Sequence, residues 1–379
     1  LRNSAVENYH PKEKEERRLL RGHCWAYRNE FESLPTVEDG EVVDVVGTRG
    51  RYIGRGFYQT SGGIAVRLLS RHEDEFGAAF FEERIAVAKS LRARLYPGEP
   101  VYRWVYADSD GLSGLVADRY GPLVVAQAAS PFYAKNAELM AQAFLKHGGV
   151  TGVSFRVGNE LKTFSEITPP VICAVRDLGF ALDPGQGQKT GLFLDQRENW
   201  ALLKPFAKGA SVLDAHCYHG AWGLHAAKYG AASVLGVDTS QPALDVALGN
   251  AQRNGFEEIC AYECGDVQEV LAREDRYDVV VLDPPALAKT RAMAKRAAGL
   301  YQSLNHAAME SLRPGGVLIT SSCSHFVDTA DFIEALKRAA NSAQRQARVL
   351  AVRGAAPDHP VLLSMPETEY LCCVVLELD

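Results

Sequence analysis

The sequence predicts a multidomain α/β protein. A small all-β module comes first, an α+β domain follows, and a doubly wound, mostly parallel sheet closes the chain. Three observations carry this reading. The 379 residues are more than one hydrophobic core usually organises. Short strands broken by glycine fill the first 75 residues or so. After about residue 185 the text alternates between apolar, β-branched runs and helical stretches.

The elements follow in order. Residues 1 to about 15 are polar and charged and read as a loose arm. EVVDVVG, RYIGRGFY and GIAVRLLS then give strands at hairpin spacing, which places an all-β domain over residues 1–75. FEERIAVAKSLRARL lies in a charged, alanine-rich helix over 76–95. VYRWVY, GLVADRYGPLVVAQAA and GVSFRV are strand-like, with one helix expected near 134–147, so 76–187 is an α+β domain. In 188–379 the strands are SVLD, SVLGVD, EICAYEC, RYDVVVLD and VLITSS. QPALDVALGNAQRNG reads as a helix stopped by Asn-Gly. Continuous apolar strands are buried on both faces, which requires helices on each side of a parallel sheet. RVLAVRG and EYLCCVVLEL have no helix between them, so the last strand is expected to return antiparallel.

Composition excludes several classes. A net charge of −6 does not mark a nucleic-acid binder as a whole. Locally, Arg49, Arg51, Arg55, Arg67 and Arg71 follow one another with no intervening acid. Such a run suits a phosphate backbone or a solvated strand face. The eight cysteines form no paired C-x-x-C ladder, so zinc is not expected. Cys372 and Cys373 read as core, and a reducing, cytoplasmic setting fits. No apolar run is long enough to cross a bilayer.

In a doubly wound sheet, ligands gather beyond the carboxyl ends of the strands. Here those ends carry Asp214, Asp238, the Gly265-Asp266 pair, Asp283-Pro284-Pro285 and Ser322-Cys323-Ser324-His325. Asp238 stands 24 residues after Asp214, beyond a glycine turn. An acid there can accept hydrogen bonds from both hydroxyls of a ribose, or it can cap a helix with Thr239 and Ser240. Gly220 and Gly223 allow close backbone approach. The turn is not G-x-G-x-x-G, and His216, Cys217, Tyr218 and His219 crowd it. That suits a nucleoside cofactor without bridging phosphates and argues against NAD.

The pattern D-x-x-x-Y-x-G-x-x-G at 214–223, VDTSQPALDVALGN, CGDV, VLDPPALAKT and RPGGVLITSSCSH together resemble a class I, Rossmann-like methyltransferase. TGLFLDQRENW (190–200), SSCSH and DHPVLLSMPETEYL (358–371) narrow the resemblance to the ribosomal RNA large subunit methyltransferase I family. RRLLRGHCWAYRNEF (17–31) resembles the start of that family's N-terminal PUA domain, so the likeness runs from about residue 17 to the end. His216 and His219 stand where the family pattern has small or uncharged residues. The resemblance implies S-adenosyl-L-methionine as cofactor, large-subunit rRNA as partner, no membrane, and room for a homodimer. It also implies a cofactor site at Phe193, Gln196, Asp214, Ala215, Tyr218, Gly220, Asp238, Thr239, Asp266, Val267 and Pro284. Arg49, Arg51, Arg55 and Lys289 are then the candidate RNA contacts. The family's product is 5-methylcytosine.

That product explains a thiol at a strand end. Carbon 5 of cytosine is a poor nucleophile until a thiolate adds to carbon 6. Cys323 is the candidate nucleophile, against the plainer reading of a small buried core residue. Asp283 can hold N3 or the exocyclic amine. Gln196 and Arg197 suit either the cofactor's methionine end, the RNA or an exposed helical turn. His325 is equally suited to proton transfer, helix capping or RNA contact. Three other readings compete: methylation at guanine N7 or at an exocyclic amine, a non-catalytic RNA-binding protein, and a dehydrogenase. An exocyclic-amine enzyme normally has an aromatic residue after the prolines, and here Ala286 follows.

Overall fold

The computed structural model describes residues 6–12, 14–165, 167–185, 190–288 and 290–379. The chain divides into two compact units. The first comprises Leu1–Cys173, Leu182–Gly191 and Pro357–Thr368, and the second comprises Ala174–Ala181, Leu192–Ala356 and Glu369–Asp379.

Two five-stranded sheets build the first unit. In the all-β part, Val42–Val46, Tyr52–Tyr58 and Ile64–Ser70 form an antiparallel meander, and Glu7–Tyr9 and Trp25–Tyr27 close its edges. Val43, Val45, Ile53, Val66 and Leu68 fill its core. In the α+β part the helices Ala78–Leu95 and Ala137–Leu145 cover a sheet of Val101–Tyr106, Leu115–Tyr120, Leu123–Ala128, Gly152–Val157 and Glu160–Ser165. The expected helix near 134–147 is two: Pro131–Lys135, capped by Ser130, and a second from Ala137, broken at Asn136.

The C-terminal domain is not one continuous stretch from 188 to 379, because residues 357–368 pack into the first unit. Asp358 is the physical reason. It is fully buried there, its carboxylate accepts the Arg103 N–H at 2.8 Å, and its carbonyl accepts an Arg92 N–H at 2.7 Å. A buried charge needs such partners, and they come from the first unit.

The second unit is built on a seven-stranded sheet. Its strands are β1 (Ser211–Ala215), β2 (Ser233–Asp238), β3 (Cys260–Cys264), β4 (Tyr277–Leu282), β5 (Leu312–Ser322), β6 (Ala347–Arg353) and β7 (Cys372–Leu378). Their spatial order is β3-β2-β1-β4-β5-β7-β6. The first five are parallel, and β7 runs antiparallel to both β5 and β6, as the missing crossover helix requires. Helices Ala294–Glu310 and Thr329–Ser342 lay Tyr301, Ala308, Phe332 and Leu336 over Val280, Leu282 and Leu318. Helix Gln241–Asn254 starts at Ser240, whose side chain accepts the Ala243 N–H, and ends at Gly255 with φ 72°. Cys372 and Cys373 are buried, as expected of core positions. No helix of the described residues is long and apolar enough to cross a membrane.

Parallel order puts the carboxyl ends of β1 to β5 on one rim. Register makes this concrete: Ala215 of β1 lies beside Leu282 of β4, and Leu282 lies beside Thr320 of β5. Asp283 and Cys323 therefore leave the sheet from neighbouring strands.

Candidate active site

The turn after β1 is strained. His216 has φ 65° and Tyr218 φ 50°, both in the left-handed region that costs a non-glycine residue about 1–3 kcal/mol. Gly220 follows at φ 78°. Helix Ala221–Lys228 begins there, and Gly223 faces the sheet so closely that an added Cβ would lie 2.9 Å from Val234 Cγ1 and 3.2 Å from Asp214 Oδ2. The Gly223 N–H donates to Asp214 Oδ2 at 2.8 Å. The turn is thus pinned to the strand that launches it. His219 stacks on Tyr218, with ring centroids 3.7 Å apart, and Phe193 meets Tyr218 edge-on at 5.1 Å. Burial lowers the His216 pKa and brings that of His219 down to about 4. Both imidazoles are neutral near pH 7, so the two histidines of the turn add no charge to it.

Asp238 ends β2 half-buried, and it is not the helix cap, a role that belongs to Ser240. Its Oδ2 accepts the Tyr218 N–H at 3.0 Å and its Oδ1 the Ser240 N–H at 2.9 Å. Each oxygen keeps a lone pair, as a ribose diol would need. Thr239 is exposed, and its carbonyl lies 3.5 Å from the Cys264 thiol. Asp266 is exposed and caps helix Val267–Leu271 through Oδ1, while Val267 is buried beneath it. The Ala215 carbonyl accepts the Asp283 N–H at 3.3 Å. This set of acceptors fits the hydroxyls of a nucleoside. The neutral, crowded turn and the Asp238 carboxylate at its edge do not suit a pyrophosphate.

Asp214 is fully buried, and burial pushes its carboxyl up to about 7. Asp283 and Asp238 act in the same direction, against the Gly223 N–H. A raised acid contributes stability that is complete below its unfolded pKa near 3.8 and is lost as pH rises through about 7. Asp214→Asn keeps an acceptor for Gly223 and removes the ionisation. Urea denaturation of the cofactor-free protein between pH 4 and 8 is therefore expected to give a flatter stability profile for the variant. Parallel profiles would contradict the assignment.

At the end of β4, Asp283 is half-buried. Gln196 Nε2 lies 3.1 Å from each of its oxygens, and Trp222 Nε1 donates to Oδ2 at 3.1 Å. Gln196 also lies 3.0 Å from Ser321 Oγ on β5. Across the same gap the Cys323 thiol lies 3.7 Å from the Pro284 carbonyl. Ser324 Oγ accepts the N–H groups of Leu287 and Ala288 at 3.1 and 3.2 Å and contacts the Tyr301 hydroxyl at 3.0 Å. The loop after Asp283 is thereby stitched to Ser324, the residue that follows Cys323. Cys323 is half-buried as a residue. His325 is exposed, its ring centroid is 5.3 Å from that of Tyr370, and the following helix is capped by Asp328 instead.

Strand order predicts Asp283 beside Cys323, and the two follow neighbouring strands; Gln196 is buried against Asp283 rather than on an exposed turn. Trp222 and Ser324 are additions; both stood in the motifs, but nothing in residue type reveals what they touch. The basic run of the first unit is divided. Arg55 does not reach out to a phosphate: its guanidinium pairs bidentately with Asp44, at 2.8 Å for both contacts. Arg67 bonds Gln59 and lies over Trp25, and Arg71 bonds the His23 carbonyl. Arg49 and Arg51 remain exposed. Lys289 lies outside the described residues.

This sheet order, with the glycine turn and an acid closing β2, defines a methyltransferase whose methyl donor is S-adenosylmethionine, on a chain that also carries a PUA-like domain. A PUA-like domain family matches residues 12–71, and a methyltransferase domain family matches residues 206–356. The ribosomal RNA large subunit methyltransferase I of Shewanella denitrificans is 34% identical, over 94% of this chain and 95% of its own length. Its namesake from Shewanella amazonensis is 35% identical over the same shares. The chain belongs to the ribosomal RNA large subunit methyltransferase I family. A Streptococcus mutans protein, described only provisionally as a SAM-dependent methyltransferase, shares the fold with a TM-score of 0.87. It covers 98% of this chain and 100% of its own at 19% identity.

Proposed function

We propose that this protein transfers a methyl group from S-adenosylmethionine to carbon 5 of a cytosine in large-subunit rRNA, with Cys323 as covalent nucleophile. The rRNA substrate rests on the names of the curated relatives. One observation supports the chemistry above the rest: a cysteine and an aspartate, both half-buried, follow adjacent parallel strands, with the Cys323 sulfur 3.7 Å from the carbonyl next to Asp283.

S-adenosylmethionine supplies the methyl group as a sulfonium electrophile. Cys323, as thiolate, adds to carbon 6, and the electron pair moves to carbon 5, which becomes nucleophilic. Asp283 accepts from the exocyclic amine or, protonated, donates to N3, and so stabilises the charge that builds on the ring. After methylation, loss of the carbon 5 proton to a base restores the 5,6 double bond and expels Cys323. Pro284 and Pro285 stiffen the loop that presents Asp283. The base has to be unstacked to enter such a pocket. Asp214, Tyr218, Gly220 and Asp238 hold the cofactor's side of the site, and the exposed Arg49 and Arg51 serve the RNA.

The test is product analysis. Large-subunit rRNA incubated with the protein and labelled S-adenosylmethionine is digested to nucleosides. The label is expected in 5-methylcytidine. Label in 7-methylguanosine or in an N-methylated nucleoside would contradict the proposal.

A further inference from the structure

We propose that Trp222 and Gln196 act together as positioning residues that clamp the Asp283 carboxylate; the idea rests on the reading of Asp283 given above. Trp222 lies in the first turn of the helix after the glycine turn, and Gln196 lies in the segment before β1. Both are almost fully buried, at 5% and 2% exposure, so neither is there to meet solvent. Their three contacts to Asp283 are all 3.1 Å.

The direction of these bonds follows from a chain of obligatory roles. The Gly354 carbonyl can only accept, so the Asn199 amide must turn its NH2 toward it, at 3.1 Å. The same Asn199 nitrogen lies 2.7 Å from Gln196 Oε1, which fixes that oxygen as acceptor. Gln196 therefore presents its NH2 to Asp283 and not its carbonyl. The indole N–H of Trp222 is a donor only. Two uncharged donors from two separate elements thus meet one carboxylate, and its rotation about χ2 is restricted before any substrate arrives. Because Trp222 leaves directly from the Gly220 turn, the cofactor side of the site and the base-contacting carboxylate are joined by one hydrogen bond. Preorganisation of this kind changes the rate of the chemical step more than binding.

A double-mutant cycle tests it. Trp222→Phe removes the N–H and keeps an aromatic ring. It is expected to slow single-turnover methyl transfer to RNA roughly 10-fold. The KM for RNA and the affinity for S-adenosylhomocysteine should change less than about twofold, the split expected when an interaction matters mainly in the transition state. In an Asp283→Ala background, where transfer is followed over hours with radiolabel, the same replacement should change the rate by less than about twofold, because the group it positions is gone. Gln196→Met, which keeps side-chain length without the N–H, is read in the same cycle and guards against a folding defect at Trp222. An equal loss in both backgrounds, or wild-type transfer by both positioning variants while Asp283→Ala is crippled, would overturn the clamp alone. Wild-type transfer by Asp283→Ala would overturn the reading of Asp283 and the clamp with it.

Discussion

Cys323→Ala is expected to abolish transfer of methyl groups to RNA while leaving S-adenosylhomocysteine binding within about twofold of wild type. A loss of at least about 10³-fold in the single-turnover rate is the scale for removing a covalent nucleophile, since the residual rate draws only on positioning and binding. The separation between the two readouts follows from the structure. The groups proposed to hold the cofactor lie on the turn after β1 and at the end of β2, whereas Cys323 follows β5, two strands away from β1 across β4. The position is half-buried and the sulfur lies 3.7 Å from the Pro284 carbonyl, so the truncation removes a single heavy atom from a site that is not closed core. Cys323→Ser adds a control, because a hydroxyl of similar size keeps the packing and lacks the nucleophilicity of a thiolate.

The largest effect on stability is expected in the first unit, at Arg92. This side chain has no exposure, and each of its nitrogens is engaged. Nε donates to the Arg103 carbonyl at 2.8 Å, and the two terminal nitrogens meet Asp110 at 2.5 and 2.8 Å. One of them also reaches the Asp358 carbonyl at 2.7 Å. Arg92→Leu keeps an apolar stem but leaves the Asp110 carboxylate, 6% exposed, without its cation. Breaking a buried pair from one side costs about 3–5 kcal/mol, because the remaining charge is desolvated and uncompensated. Urea denaturation followed by tryptophan fluorescence is expected to show that loss. Lys146→Met, at the exposed Lys146–Glu82 pair, should change stability by less than about 1 kcal/mol. Similar losses at the two sites would contradict the assignment of Arg92 as a buried anchor.

Much of the second unit was legible because its signals are local. Apolar, β-branched runs separated by helical stretches specify a parallel sheet, and Asn254-Gly255 stopped its helix where the sequence indicated. The order of strand ends then placed Asp283 next to Cys323. What was not legible depends on partners that are distant along the chain. The arginine run has no acid within it along the sequence, yet Asp44 and Arg55 face each other across an antiparallel register, so the acid comes from the neighbouring strand. The segment around Asp358 resembles the family motif but says nothing about which unit would bury its carboxylate. Asp238 and Ser240 are both good capping residues, and only the backbone shows that Ser240 has the N-cap position. Trp222 stands in plain view inside the first motif, but its role depends on the turn geometry set by His216, Tyr218 and Gly220. The left-handed φ at two non-glycine positions there carries no compositional mark.

The central claim is the bond between Cys323 and carbon 6, and trapping tests it most directly. RNA carrying 5-fluorocytidine at the target, incubated with the protein and S-adenosylmethionine, cannot lose a proton from carbon 5 and so cannot expel the thiol. A covalent protein–RNA complex is expected, with the nucleotide attached to the peptide that contains Cys323 and no complex from Cys323→Ala. Attachment at another residue, or normal methylation of unmodified RNA by Cys323→Ala, would contradict the account.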